Sequence, residues 1–170
     1  ISPLSNDTDP DGDTLTISAV GTPGHGSTTH TSTSITYTPT HGYSGSDSFS
    51  YTISDGHGNT DSATITVTVV NRAPNAVNDT ASVNENYSVT ISPLANDTDP
   101  DGDTLTISAV GAPGHGTTTH TSTGITYTPT HGYSGTDSFS YTVSDGHGHT
   151  DSATVTVTVV NRPPTAYNDG

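Results

Sequence analysis

Cysteine, methionine and tryptophan are absent from this chain, lysine is absent as well, and Arg72 and Arg162 are its only arginines. Without cysteine there is no disulfide, no thiol nucleophile and no thiolate metal site. Two basic residues against seventeen acidic ones, in a chain of 170, exclude the positive footprint that nucleic acids and anionic membranes require. No apolar run is long enough to cross a bilayer, and no signal peptide is visible, as expected of a piece from inside a longer protein. Hydrophobic residues make up only 26% of the chain, which together with a net charge of −15 points towards disorder. That reading gives way to what is present: a regular alternation of aliphatic or aromatic residues with Ser and Thr, the pattern of strands that bury one face.

Residues 1–72 and 91–162 are nearly the same sequence. They differ at eight positions: Ser5/Ala95, Thr22/Ala112, Ser27/Thr117, Ser34/Gly124, Ser46/Thr136, Ile53/Val143, Asn59/His149 and Ile65/Val155. Residues 73–90 have no counterpart before Ile1, and RPPTAYNDG (162–170) echoes RAPNAVNDT (72–80). The expected organisation is therefore an incomplete first repeat over 1–72, lacking strand A and part of B, a complete repeat over 73–161, and the start of a third over 162–170. Copying of this fidelity marks an array, in which every unit inherits the same contact with its neighbours.

Within the complete repeat the period-2 stretches are Tyr87/Val89/Ile91, Leu105/Ile107, Ile125/Tyr127, Phe139/Tyr141/Val143 and Val155/Val157/Val159. Between them stand Gly, Pro and Asp-Gly punctuation in APGHG, THGYSG and DGHG, and no segment has a helical period. About seven short strands of this kind predict an all-β fold: tandem Ig-like sandwiches of about 90 residues, without the Cys and Trp core of antibody domains. With the strands labelled A to G, the B–C loop (96–103) and the F–G loop (145–151) return to the pole where strand A starts. The A–B turn (84–86), the C–D loop and the E–F loop lie at the other pole.

The B–C loop carries the chemistry. Asp97, Asp99, Asp101 and Asp103 occupy alternate positions of DTDPDGD, and Asp7, Asp9, Asp11 and Asp13 repeat them. Two such carboxylates ~6 Å apart, at an effective dielectric of ~20, repel by roughly 3 kcal/mol. A hard divalent cation reverses the sign, and calcium accepts the six to eight oxygens that a flexible acidic loop supplies, whereas magnesium fits an all-protein cage less well. D-x-D-x-D-G matches the opening of an EF-hand loop, but Ser108 stands where that loop needs its bidentate Glu. Further ligands are expected from Asp79, Asp145 and Asp151 at the same pole. Glu85, the only Glu of the chain, sits at the opposite pole and could serve the next junction. The competing reading is that Asp favours turns and keeps a protein soluble. It suits Asp145-Gly146 and Asp55-Gly56 better than it suits four alternating carboxylates.

The succession NDTDPDGDTLTI, PGHGT, ITYTP, GYSGTDSFSYTVSDG and a final Val/Thr strand resembles the bacterial cadherin-like or Ig-like tandem repeats of large secreted and surface proteins, including adhesins of the RTX type. The resemblance implies calcium-stiffened sandwiches strung end to end on the bacterial cell surface, with ligands in Asp7–Asp13 and Asp97–Asp103. Family linkers often carry an Asp before the Ala-Pro, where this chain has Arg72 and Arg162. The ion then either bridges two units or stays within one, and Arg72 is free to pair across the junction with the acidic loop.

Other signals weigh less. His147 and His149 lie near the carboxylates, yet His25, His41, His115 and His131 sit beside Gly in tight loops, which favours loop chemistry over zinc. Thr-rich strands suggest ice binding and exposed Tyr suggests sugar binding, but outward Thr is ordinary and Tyr127 and Tyr141 share a face with core residues. No nucleophile, base and acid set is evident, and Gly132-Tyr133-Ser134-Gly135 ends in Thr136 rather than in the Gly of a nucleophile elbow. The sequence thus predicts a calcium-dependent spacer whose partners are neighbouring repeats. The alternatives are a filament of identical chains completed by strand exchange, and a carbohydrate- or ice-binding adhesive module.

Overall fold

The computed structural model describes residues 1–166 and divides the chain into two units, Ile1–Asn71 and Arg72–Gly170. Unit 1 contains β1 (Thr16–Val20), β2 (Gly26–His30), β3 (Ile35–Pro39), β4 (Gly45–Ser54) and β5 (Thr60–Val69). Unit 2 contains β6 (Asp79–Asn84), β7 (Val89–Ile91), β8 (Thr106–Val110), β9 (Gly116–His120), β10 (Ile125–Pro129), β11 (Gly135–Ser144) and β12 (Thr150–Val160). The expected start of a third repeat carries no strand over 162–166, and residues 167–170 lie outside the described residues. Among the described residues no helix is long and apolar enough to cross a membrane.

Unit 2 is a seven-stranded sandwich of sheet β6-β12-β11-β8 against sheet β7-β10-β9. Its spine is the β11/β12 ladder, in register from Gly135↔Val159 to Ser144↔Thr150. Alternation does the sorting: Phe139, Tyr141 and Val143 face inward from β11, Val155, Val157 and Val159 from β12, and Ser or Thr occupies the outward positions between them. Ile107, Ile125, Tyr127, Val83 and Ile91 close the core from the remaining strands. β6 joins β12 in parallel, from Asp79↔Val155 to Asn84↔Val160, while the other pairings are antiparallel.

One boundary differs from the periodicity. Tyr87 is 68% exposed and precedes β7, because Asn86 at φ 66° and a Tyr87 N–H to Asn84 carbonyl bond close the A–B turn there. The first strand of unit 2 begins at Asp79, and residues 75–78 before it bond to Thr98, Asp151, Asp97 and Thr154.

Unit 1 repeats this plan with sheet β1-β4-β5 and hairpin β2-β3, and has no counterparts of β6 and β7 among the described residues. The effect on burial is direct. Val155 and Val157 are fully buried, whereas Ile65 and Val67 at the same positions are half-buried, with no counterpart of β6 beside β5 among the described residues.

Gly116 shows how tightly the second sheet is built: a Cβ there would lie 2.6 Å from the Thr128 carbonyl and 2.6 Å from the Tyr127 ring. Gly116→Ala is expected to cost about 1–3 kcal/mol through overpacking, read as a lower denaturation midpoint with an unchanged m value.

Candidate metal centre

The acidic pole of unit 2 forms where the β7–β8 and β11–β12 loops meet. Two Asx turns shape it. In the first loop Asp99 Oδ1 accepts the N–H groups of Asp101 (2.7 Å) and Asp103 (3.2 Å), with Gly102 at φ 80° permitting the bend. In the second, Asp145 Oδ1 accepts the N–H groups of His147 (2.8 Å) and His149 (3.1 Å) around Gly146 at φ 76°. Each carboxylate thus spends one oxygen on its own loop.

Oxygens of Asp99, Asp103 and Asp145 lie within 4.8 Å of one another, and Asp9, Asp13 and Asp55 form the same group in unit 1. Asp103 is 8% exposed and Asp145 2%, and Asp99 Oδ2 is a buried oxygen without a hydrogen-bond partner. His147 Nε2 approaches Asp103 Oδ1 to 3.5 Å and His149 Nδ1 approaches Asp145 Oδ2 to 3.6 Å. Calcium holds its oxygens at 2.3–2.6 Å, so ligands of one ion stand no more than about 5 Å apart. The donor set fits: hard oxygens at the right mutual distances, one of them orphaned and out of reach of solvent.

The remaining acidic residues named from the sequence go elsewhere. Asp101 is claimed by Arg72, whose Nε and Nη2 donate to Oδ1 at 2.9 and 2.7 Å and whose N–H donates to Oδ2 at 2.7 Å. These side-chain and backbone bonds from Arg72 hold the Asp101 carboxyl below the usual carboxylate range. Asp97 accepts the Val77 N–H (2.7 Å) and the Tyr141 hydroxyl (3.1 Å), and Asp7 accepts the Tyr51 hydroxyl (2.9 Å). Asp151 accepts the Ala76 N–H at 2.8 Å. Burial pushes the Asp79 carboxyl up, and the charge of Asp97 adds to that rise against opposing bonds from Tyr141 and Asn96. Asp11 is an exposed member of the unit 1 loop. Glu85 is far from this group, lining a cleft with Tyr87, Val160 and Arg162 at the A–B turn.

One acidic pair escaped the sequence reading. Asp137 is 5% exposed and accepts N–H bonds from Gly114 (2.9 Å), His115 (2.8 Å) and Ser138 (2.9 Å), with the Tyr127 hydroxyl donating at 2.8 Å. Burial pushes its carboxyl up, but these four bonds outweigh burial and hold it below the ordinary value. Asp47 repeats the arrangement, with burial again opposed by bonds from His25, Tyr37, Gly24 and Ser48. The available signal was parity: Asp137 shares the inward face of β11 with Phe139 and Tyr141. His115, stacked on Tyr133 with ring centres 4.2 Å apart, completes this anchored loop.

A family model described as bacterial Ig domain matches the chain twice, over residues 1–68 and 71–158. Comparison with curated protein sequences gives no match. Among solved structures, human mucin-like protocadherin EC1-2 is similar at 18% identity and TM-score 0.44, over 93% of this chain and 92% of that one. Drosophila N-cadherin EC1-3 is similar at 14% identity and TM-score 0.42, over 91% and 57%. An endo-fucoidan hydrolase from glycoside hydrolase family 107 is similar at 23% identity and TM-score 0.39, over 90% of this chain. The chain spans 24% of that hydrolase. Two sandwich units of one plan, each matched by the same model, are tandem Ig-like repeats, and the chain belongs to the bacterial Ig domain family.

Proposed function

We propose that the chain is a calcium-stabilised spacer of a bacterial surface adhesin or extracellular fibre, with one intra-unit cation site per repeat. The observation that carries this reading is the carboxylate triad of Asp99, Asp103 and Asp145, with its orphaned Asp99 oxygen, and its copy at Asp9, Asp13 and Asp55. When bound, calcium supplies the positive charge that such a group lacks. The chain's own part is to position the triad: Asp99 and Asp145 close their turns with one oxygen, and burial of Asp103 and Asp145 withholds water. Arg72 compensates Asp101, which removes that carboxylate from the ligand set and ties the segment entering unit 2 to its acidic loop. These features support a site within one unit rather than one shared between two.

Nothing in the arrangement combines a nucleophile with a base, and the role is mechanical: a rigid pole limits bending where one unit meets the next. Calorimetric titration of the whole chain with calcium is expected to give two sites, with magnesium binding far more weakly. Asp145→Asn is expected to leave a single site, that of unit 1, and to weaken the unit 2 site at least tenfold. A titration unchanged by Asp145→Asn, or the absence of any calcium heat, would overturn the reading.

A further inference from the structure

Four Asn-x-Ser/Thr triplets stand in the chain: Asn6-Asp7-Thr8, Asn78-Asp79-Thr80, Asn86-Tyr87-Ser88 and Asn96-Asp97-Thr98. In a protein that passes outside the cell, such a triplet accepts N-linked sugar where it lies in a surface loop. The reason is steric: the transferase must close around the Asn amide and the hydroxyl two residues on. Backbone held in a sheet cannot be drawn into its site. The fold separates the four triplets on that ground.

Three are tied down through their middle residue. Asp79 and Thr80 are rungs of the β6/β12 ladder, and Asn78 Oδ1 accepts the Thr154 N–H at 2.8 Å. Asp97 is 9% exposed and bonded to Val77 and Tyr141, while Thr98 exchanges two backbone bonds with Asn75. The Asn96 amide nitrogen, in the orientation that satisfies both ends of the amide, donates to the Pro93 carbonyl at 2.6 Å and to Asp79 Oδ1 at 3.3 Å. In the first triplet both oxygens of Asp7 accept the Tyr51 hydroxyl, at 3.0 and 2.9 Å.

Asn86-Tyr87-Ser88 is different. It lies in the A–B turn, between the end of β6 at Asn84 and the start of β7 at Val89, and all three residues are exposed. Asn86 takes the left-handed conformation, and its Oδ1 accepts the Gly132 N–H at 3.0 Å. A backbone N–H is met only by the oxygen end of an amide, so Nδ2 is the end left over, with no hydrogen-bond partner among the described residues. The Ser88 hydroxyl meets Thr128 Oγ1 at 2.8 Å in an exposed contact. Tyr87, 68% exposed beside the acceptor, offers an aromatic face to the C–H side of a sugar ring.

We propose that Asn86 is an N-glycosylation site, and that the co-substrate is a sugar activated as a diphosphate ester. The Nδ2–C1 bond forms as the C1–O bond to the diphosphate breaks. The bonding pair leaves on the diphosphate oxygen, and one Nδ2 proton passes to a base of the transferase, with nothing oxidised or reduced. The sugar stands over the A–B turn, far from the carboxylate triad, so the proposal does not depend on the cation reading.

The test is peptide mass spectrometry of the protein isolated from the cells that make it, with fragmentation that localises the sugar. Asn86 is expected to carry at least one sugar residue in most copies, while Asn6, Asn78 and Asn96 stay bare. A single sugar identifies a nucleotide-linked donor and a preassembled block a lipid-linked one, and either supports the site. Ser88→Ala keeps the asparagine and removes only the hydroxyl; it is expected to lower occupancy about tenfold, whereas Ser88→Thr retains it. A bare Asn86, an occupancy unchanged by Ser88→Ala, or sugar spread equally over the four asparagines would overturn the proposal.

Discussion

Chelating calcium is expected to lower the melting temperature of the chain by ~10–20 °C. A ligand present at a hundred times its dissociation constant stabilises the folded state by about 2.7 kcal/mol, and a domain of this size shifts by about 4–8 °C per kcal/mol. Loss of the ion also restores repulsion among carboxylates that burial and turn geometry hold together. The unit 2 group should respond more strongly, because Asp103 and Asp145 are buried there, whereas Asp9, Asp13 and Asp55 are all half-exposed. Scanning calorimetry with and without chelator measures both effects. A curve indifferent to chelator would leave the acidic loops as turn-formers and solubility devices.

Replacement of Asp137 by Ala is the second large effect, and it needs no metal. The carboxylate receives three backbone N–H groups and the Tyr127 hydroxyl, and its removal strands them in a nearly dry site. Each unsatisfied buried donor costs about 1–3 kcal/mol, so the loss comes to about 3–5 kcal/mol, a large part of the 5–15 kcal/mol that holds a typical domain. Hydrogen exchange would show the 111–120 segment and β10 losing protection while β4 and β5 keep theirs. The same carboxylates set an acid limit. Their folded pKa values lie below the unfolded ones, so their stabilisation is fully present above the ordinary Asp value of about 3.9 and is lost as pH falls through the lower folded value. The tyrosines respond in the opposite sense: burial and the Asp47 hydrogen bond push the Tyr37 hydroxyl up to about 12. Tyr127, deeper in the complete unit, is driven higher by burial and Asp137. An acid titration followed by circular dichroism should therefore keep the native signal down to about pH 4 and lose it below.

Alternation in β10, β11 and β12 was enough to assign the core, because Thr and Ser on one face and Val, Ile, Phe and Tyr on the other leave one choice of register. The Gly, Pro and Asp-Gly punctuation likewise placed the loops that bring Asp99, Asp103 and Asp145 together. The division of labour among the acidic residues was not legible. Asp97, Asp99, Asp101 and Asp103 look alike in one dimension, but they go to a tyrosine and a backbone amide, to a turn, to an arginine and to the interior, respectively. The path of residues 72–78 across the pole decides the partners of Asp97 and Asp101, and that path depends on contacts with β11 and β12 many residues away. Asp137 was overlooked because a charge on a core face reads as an exception, whereas here it organises the C–D loop.

The parallel pairing of β6 with β12 has a consequence under load. The two strands lie at opposite ends of the unit's sequence, yet they are neighbours over six rungs from Asp79↔Val155 to Asn84↔Val160. Tension entering before β6 and leaving after β12 pulls the two strands past each other along their length. All rungs are then strained together in shear, rather than peeled one at a time. Rupture requires their concerted failure, so the unit's lifetime under force is governed by a single high barrier to unfolding.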